Sequence, residues 1–135
     1  MNAISKRNLP ERQFILIKPN GVQRGHIGNT IKRLENRGLK LVGMKMSVAT
    51  EAQIDKLYHH LKKKSFYREV VHYMTRGPSI AMVWEGPSAV LLTKKMKDSM
   101  VHLAKTTEDA HEEISLWFTE EELVNYKLAT AHWIL

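Results

Sequence analysis

One stretch of the chain decides the fold: ERQFILIKPNGVQRG, residues 11–25. Its apolar centre has the composition of a buried strand, and it delivers a single lysine, Lys18, to a Pro-Asn-Gly turn. A helix is expected soon after that turn. This order places Lys18 at the mouth of a sheet, where its ammonium group could meet an anion. A lysine that ends a strand is, however, simply solvated about as often as it binds an anion.

The bulk composition is that of one globular domain, expected to span residues 1–135. The chain is 43% hydrophobic and 26% charged and contains no cysteine, which excludes disulfides, thiolate catalysis and Cys-ligated zinc. No apolar run is long enough to span a bilayer, and the polar N-terminus lacks the apolar region of a secretory signal. We therefore expect a soluble, cytoplasmic protein with no membrane partner.

The charge points to anionic partners. Twenty-one Lys and Arg against fourteen Asp and Glu give a net charge of +7, which favours nucleotides, nucleic acid or acidic surfaces without choosing among them. Much of the charge lies in two runs, Lys62–Lys64 and Lys94–Lys97 with Met96 inside it. Such runs commonly form a solvated face.

The order of predicted elements is β-α-β-(αα)-β-α-β-α, which is typical of an α+β, ferredoxin-like fold with helices packed on a mostly antiparallel four-stranded sheet. The predicted strands are Gln13–Lys18, Leu39–Val48, Ser79–Trp84 and Met100–Leu103. Along the second strand, strict alternation would place Leu39, Leu41, Gly43 and Lys45 on one side. The third strand is apolar enough to be buried on both faces.

Local signals mark the helices. The apolar spacing of Ile27, Ile31 and Leu34 predicts a helix over about 26–37 that ends at Gly38. Two capping boxes, Thr50-x-x-Gln53 and Thr119-x-x-Glu122, predict helix starts. Thr106 or Thr107 is expected to cap another helix. Pro87 suits the first turn of a helix that carries Val90, Leu91 and Met96.

Seven histidines are present, but none occurs in an HExxH motif, so a zinc site is not expected. His102, in a short apolar strand, is by pattern alone more often a core residue than a nucleophile. Glu113, on the following helix, could orient its imidazole. By pattern alone, Tyr58 and Phe66 are more often core or rim aromatics than a base-stacking pair, and Lys64 belongs to a charge run. No P-loop is present, which disfavours a Walker-type ATPase.

The chain resembles the nucleoside diphosphate kinases over two blocks, about Glu11–Gly86 and Val101–Ile134. The motifs that carry this resemblance are ERQFILIKPNGVQRG, IGNTIKRLENRGLKLVGMKM, LYHHLKKKSFY, GPSIAMVWEG, EEISLWFTEEELVNYK and a terminal HWI. The resemblance implies transfer of the γ-phosphate of a nucleoside triphosphate to a nucleoside diphosphate in a ping-pong cycle through a phosphohistidine. It also implies that Mg²⁺ arrives with the nucleotide.

The resemblance also assigns site residues. His102 corresponds to the phosphorylated histidine, Glu113 to the glutamate that orients it, and Tyr58 to the tyrosine that positions the ring. The implied nucleotide-binding residues are Lys18 for sugar and phosphates, Phe66 for base stacking, and Lys64 and Lys94 in place of two arginines. Lysine keeps the positive charge but lacks the planar fork of arginine.

The chain departs from the family pattern before and after His102. Family members carry a longer segment there, with phosphate-binding residues and a subunit contact, where this chain has only Lys97–Met100. The residues after the nucleophile are Leu103, Ala104 and Lys105 instead of Gly, Ser and Asp. We expect the core to close across the short connection, with fewer side chains to bind phosphate and a homo-oligomer smaller or weaker than a hexamer.

Three functions therefore stand open at this point. The first is a nucleoside diphosphate kinase. The second is a catalytically impaired family member that acts as a nucleotide-binding or interaction subunit. The third, which rests on charge alone, is a nucleic-acid-binding protein.

Overall fold

The computed structural model describes residues 10–96 and 98–129. Four strands form one sheet in the order β2-β3-β1-β4, and their pairings are antiparallel. The strands are β1 (Glu11–Ile17), β2 (Lys40–Val48), β3 (Pro78–Gly86) and β4 (Val101–Leu103). This topology confirms the predicted ferredoxin-like class. The terminal HWI motif, residues 132–134, lies outside the described residues.

Six α-helices connect and cover the strands within the described ranges. They are α1 (Pro19–Gln23), α2 (Ile27–Asn36), α3 (Glu51–Leu57), α4 (Tyr67–Met74), α5 (Ala89–Thr93) and α6 (Thr107–Trp117), with 3₁₀ turns at His59–Leu61 and Glu120–Glu122. Both predicted capping boxes are confirmed. Of the two candidate threonines, Thr106 caps α6, because its hydroxyl accepts a 3.0 Å hydrogen bond from the Asp109 backbone N–H.

The sheet is buried on both faces. Phe14 and Leu16 of β1 belong to one apolar cluster, which includes residues of α3 and α6. Ile15 and Ile17 belong to a second cluster on the opposite face, which includes Leu34 of α2. Strand β3 is buried from Ser79 to Gly86, as its continuous apolar sequence predicts.

The strict alternation predicted for β2 is wrong at its centre. The register shifts between Leu41, which pairs with Trp84, and Gly43, which pairs with Val83. Since Trp84 and Val83 lie on opposite faces, this β-bulge puts Leu41 and Gly43 on opposite faces too. A Cβ atom on Gly43 would lie 2.8 Å from the Leu123 side chain, so the bulge also brings the backbone close to the C-terminal segment.

The helix predicted to begin at Pro87 is shorter than expected and starts later. Ser88 precedes α5 in a left-handed conformation with φ of 54°, so Pro87 lies in the turn before the helix. Met96 lies beyond the end of α5, although its side chain is buried. Met100 precedes β4. Helix α5 and strand β4, which flank the short connection, are therefore both shorter than predicted, but both are present.

A buried glutamine holds this region to the sheet. Gln13 Nε2 donates to Thr93 Oγ1 at 3.0 Å and to the Ala104 carbonyl at 2.8 Å. The Glu11 carboxylate accepts from the Val90 backbone N–H at 2.8 Å. Both ends of the segment from α5 to β4 are therefore fixed to β1, which explains how the short connection closes.

Within residues 10–96 and 98–129, no helix combines the length and apolar character needed to cross a membrane.

Candidate functional site

His102 lies where β4, the end of α3 and α6 converge. It pairs with Leu16 in the sheet and projects on the same face as Phe14, whose ring centroid lies 6.1 Å from the imidazole in an edge-on arrangement. Helix α6 buries Ala110 and Ile114 against this face. Residue 113 directly precedes the buried Ile114, and its carboxylate reaches His102 of β4.

A short hydrogen bond joins His102 to Glu113. The distance from His102 Nε2 to Glu113 Oε1 is 2.6 Å. A carboxylate can only accept, so Nε2 carries the proton and donates it. In the neutral imidazole the free lone pair then lies on Nδ1. The predicted pairing of these two residues is therefore present in the geometry.

Tyr58 packs against the same imidazole. It is the C-cap residue that directly follows α3, and its ring stands at 88° to that of His102 with centroids 5.5 Å apart. Burial raises the pKa of the Tyr58 hydroxyl, and the nearby Glu113 and Tyr73 raise it further. The phenol therefore stays protonated and neutral beside the histidine.

A groove of about 1000 Å³ runs along His102 between α3 and α6. The His102 side chain is 12% exposed and that of Glu113 is 13% exposed, so the pair is packed but borders open space. The other charged or titratable side chains that line the groove are Asp55, Lys56, Tyr58, His59, His60, Lys62, Lys105, Asp109 and Glu112.

Lys18 lies at the edge of the sheet next to β4. It follows β1 directly and precedes α1, and alternation along β1 turns its side chain toward the same face as Leu16 and His102. Its Nζ atom donates to the Ser99 carbonyl at 3.1 Å. Burial lowers the pKa of Lys18, and the Asp98 carboxylate opposes that shift.

The remaining predicted residues lie farther out. Lys64 and Phe66 are exposed between the 3₁₀ turn and α4, and the Phe66 ring is 45% exposed. Lys94 lines a separate depression of about 200 Å³ with Glu11, Ser88 and Thr107. The structure thus groups His102, Glu113 and Tyr58, whereas Lys18, Lys64, Phe66 and Lys94 are not among the residues that line their groove.

The structure adds residues that the sequence motifs do not identify. Lys105 lines the groove three residues after His102, and Asp98 pairs with His26 and Arg33. The sequence signal for Asp98 is weak: it is an acidic residue that directly follows a basic run. Its partners belong to a distant part of the sequence, so no local pattern predicts them.

A metal cage is not apparent in the described ranges, which contain no group of three or more His, Cys, Asp or Glu side chains placed to hold a metal ion. The Glu113 carboxylate beside His102 is already engaged by the ring.

Comparisons with known proteins agree on one family. The family model described as "Nucleoside diphosphate kinase" matches residues 11–97. The chain is 42% identical to "Nucleoside diphosphate kinase A 1" of Bos taurus, over 92% of this chain and 96% of that protein. The alignment spans 146 positions, more than the 135 residues of this chain, so the relative carries residues that this chain lacks.

Two solved structures share the fold closely. The first is a nucleoside diphosphate kinase family protein from Babesia bovis, with a TM-score of 0.86 and 33% identity over 93% of this chain and 99% of the other. The second is the enzyme of Halobacterium salinarum in complex with CDP, with a TM-score of 0.85 and 30% identity over 93% and 98%.

Proposed function

The chain belongs to the nucleoside diphosphate kinase family, and from that premise we propose that it transfers the terminal phosphoryl group of a nucleoside triphosphate to a nucleoside diphosphate through His102. The observation that carries this proposal is the 2.6 Å bond from His102 Nε2 to Glu113. That bond fixes the tautomer and leaves Nδ1 as the acceptor atom.

The reaction consists of two matched transfers. In the first, the Nδ1 lone pair attacks the γ-phosphorus, an N–P bond forms, and the bond from that phosphorus to the bridging oxygen breaks. The nucleoside diphosphate then leaves with the bridging electrons. In the second, a terminal oxygen of an acceptor diphosphate attacks the same phosphorus, and the N–P bond breaks to return the lone pair to Nδ1.

Glu113 and Tyr58 support this cycle in different ways. Transfer to Nδ1 makes the ring positive because Nε2 keeps its proton, and the adjacent Glu113 carboxylate stabilises that charge. Tyr58 remains a neutral phenol and restricts ring rotation by edge-on packing. The catalytic contribution of the protein is then mostly positioning and electrostatics.

Lys18 is the proposed cation for the substrate phosphates, since it directly follows β1 beside β4, and alternation from Leu16 predicts the His102 side of the sheet for its side chain. Lys64 would add positive charge, and the exposed face of Phe66 would stack on a base without reading its edges. Lys94 is left out of the proposed nucleotide site because it lines a different depression.

Magnesium is proposed to enter as part of the substrate, where it would neutralise part of the phosphate charge. The protein would supply Lys18 to share the remaining negative charge.

A direct test is incubation with ATP and Mg²⁺ followed by intact-mass analysis. We expect one acid-labile phosphoryl group on the wild-type protein, its loss upon addition of a nucleoside diphosphate, and no adduct on His102→Ala. His111→Ala, which alters an exposed histidine of α6 outside the groove, should label like wild type. An unlabelled wild-type protein, or equal labelling of His102→Ala, would refute the proposal.

A further inference from the structure

The connection between α5 and β4 is anchored by a largely covered carboxylate, that of Asp98. The side chain of Asp98 is 9% exposed. Its Oδ2 atom lies 3.2 Å from His26 Nε2 and 3.6 Å from Arg33 Nη1. Because His26 precedes α2 and Arg33 lies within it, this carboxylate fastens the connection to the helix on the far face of the sheet.

The same side chain also shapes the backbone that enters β4. Asp98 Oδ1 accepts from the Met100 backbone N–H at 2.9 Å, and the Asp98 carbonyl accepts from Val101 N–H at 3.1 Å. These two bonds form a local turn whose last residue begins the strand. The path of the chain into His102 therefore depends on where Asp98 is held.

The turn then holds Lys18 at two points. The Met100 carbonyl accepts from the Lys18 backbone N–H at 2.9 Å, and the Ser99 carbonyl accepts from Lys18 Nζ at 3.1 Å. Both carbonyls belong to the residues that directly follow Asp98. A carboxylate bonded to α2 is thus connected to the proposed phosphate-binding amine through a very short length of backbone.

The charge of Asp98 acts on Lys18 as well. Burial lowers the pKa of the Lys18 amine, and the negative charge of Asp98 raises it. Among the described residues, the other charged groups paired with Asp98 are Arg33 and, when protonated, His26. Both are cationic, so without the carboxylate they would add to the forces that favour neutral Lys18.

From this geometry we propose that Asp98 is a positioning residue for the reaction: anchored to His26 and Arg33, it fixes Lys18 and the start of β4 in the place that the shorter connection leaves for them. This inference rests on the proposed function of His102. It assigns a role in catalysis to an ion cluster on the opposite side of the sheet from the groove.

The first test is the pH profile of kcat/KM for Asp98→Asn. The amide oxygen can still accept from Met100 N–H, so the turn is preserved while the charge is removed. Loss of a negative charge lowers the pKa of a neighbouring ammonium group, so the alkaline limb should move to lower pH. If the alkaline limb moves by about one pH unit, the loss of kcat/KM in Asp98→Asn relative to wild type should be about tenfold greater at pH values above the limb than below it.

The controls separate positioning from folding. Asp98→Glu restores the charge and should move the limb back toward wild type. Glu35→Gln removes one exposed negative charge from α2 and should leave the profile unchanged. A variant that only unfolds part of the protein lowers the rate equally at all pH values, and that result for Asp98→Asn would overturn the proposal.

The second test needs no activity. The Cε–Hε NMR signals of Lys18, assigned with Lys18→Arg, should titrate at lower pH in nucleotide-free Asp98→Asn than in wild type. If wild type forms no phosphohistidine but this shift is present, the proposed function fails while the link between Asp98 and Lys18 stands. If wild type is active and neither the NMR titration nor the kinetic limb moves, the positioning role is refuted.

Discussion

At the scale of single residues, the proposed role of Glu113 is to determine which nitrogen of His102 reacts and to stabilise the charge that develops on the ring. Glu113→Gln keeps an acceptor oxygen but loses the negative charge. We expect phosphohistidine formation to slow by about 10–100-fold, since a charge-assisted hydrogen bond contributes about 1.5–3 kcal/mol and each 1.4 kcal/mol is about tenfold in rate. Rapid-quench measurement of the phosphorylation step checks this expectation.

The matched control for that experiment is Glu121→Gln, an exposed glutamate of the second 3₁₀ turn that does not line the groove. It should phosphorylate at the wild-type rate. Equal rates for wild type and Glu113→Gln would mean that the carboxylate does not assist the transfer.

Sequence reasoning at this scale succeeds where the partners are close along the chain. Thr50 with Gln53, and Thr119 with Glu122, form the predicted caps because each pair is separated by three residues. The position of Lys94 cannot be predicted from residues close to it along the chain. It depends on where α5 packs, and the sequence around Lys94 contains no information about Thr107 at the opposite edge of its depression.

At the scale of the elements, one carboxylate links three strands. Glu85 of β3 accepts from Arg12 of β1 at 2.8 Å and lies 3.0 Å from Lys40 of β2. Burial alone would raise the pKa of Glu85, but the bonds from Arg12 and Lys40 outweigh it and lower the pKa below 4.5. The carboxylate therefore stabilises the sheet in its ionised form.

A prediction for pH and stability follows from this linkage. A carboxyl whose pKa is lower in the folded state contributes stability above its unfolded value, and that contribution is lost as pH falls through the lowered pKa. Glu85→Gln should reduce the free energy of unfolding at neutral pH by about 1–3 kcal/mol. In urea denaturation the difference from wild type should shrink at strongly acidic pH, and a difference that stays constant would contradict the assignment.

Two glycines provide a test of the contact between α1 and the turn before β4. A Cβ atom on Gly21 would lie 2.8 Å from Ile17 Cγ2 and 3.1 Å from the Met100 carbonyl, whereas one on Gly28 would meet nothing within 4 Å. Gly21→Ala should therefore destabilise the fold by about 1–3 kcal/mol. Gly28→Ala should stabilise it by about 0.5–1 kcal/mol, since alanine is the better helix former.

Thermal and urea unfolding of both variants measure this difference. Because Met100 also bonds Lys18, the folded fraction of Gly21→Ala should show weaker phosphorylation than Gly28→Ala. Equal stability of the two variants would mean that the approach of α1 to Met100 is not tight.

Element boundaries follow from sequence only where local chemistry sets them. Gly38, with φ of 80°, ends the α2 region as its position predicts. The bulge in β2 is different, because one extra residue moves all following side chains to the other face, and no local sequence signal marks where that shift occurs. What favours the bulge is the fit of Gly43 against Leu123 and Phe118, and those residues lie far away along the chain.

At the scale of the whole molecule, strand β2 forms one edge of the sheet, and its second half carries exposed apolar side chains. Met44, Met46 and Val48 are 50%, 57% and 56% exposed, and such an edge favours association. We predict a homo-oligomer smaller or weaker than a hexamer, which Met46→Lys should weaken further. Light scattering that gives the mass of a stable hexamer would contradict this prediction.

The fold as a whole was predictable because the order of elements and the buried sequence of β3 leave few topologies for one sheet. The position of Glu113 on the following helix suggested its pairing with His102, but only the family resemblance assigned it, since a histidine in an apolar strand carries no signature of its own. Asp98 was not identified, because its role depends on residues of α2 that only the folded chain brings near it.

The central claim is that phosphorus bonds to Nδ1 of His102 while Nε2 stays protonated against Glu113. The most direct measurement is ³¹P–¹⁵N correlation NMR of the phosphorylated protein with ¹⁵N-labelled histidine. We predict that the phosphorus couples to Nδ1 of His102 and that Nε2 retains its proton. Coupling to Nε2, or to any other histidine, would contradict the account.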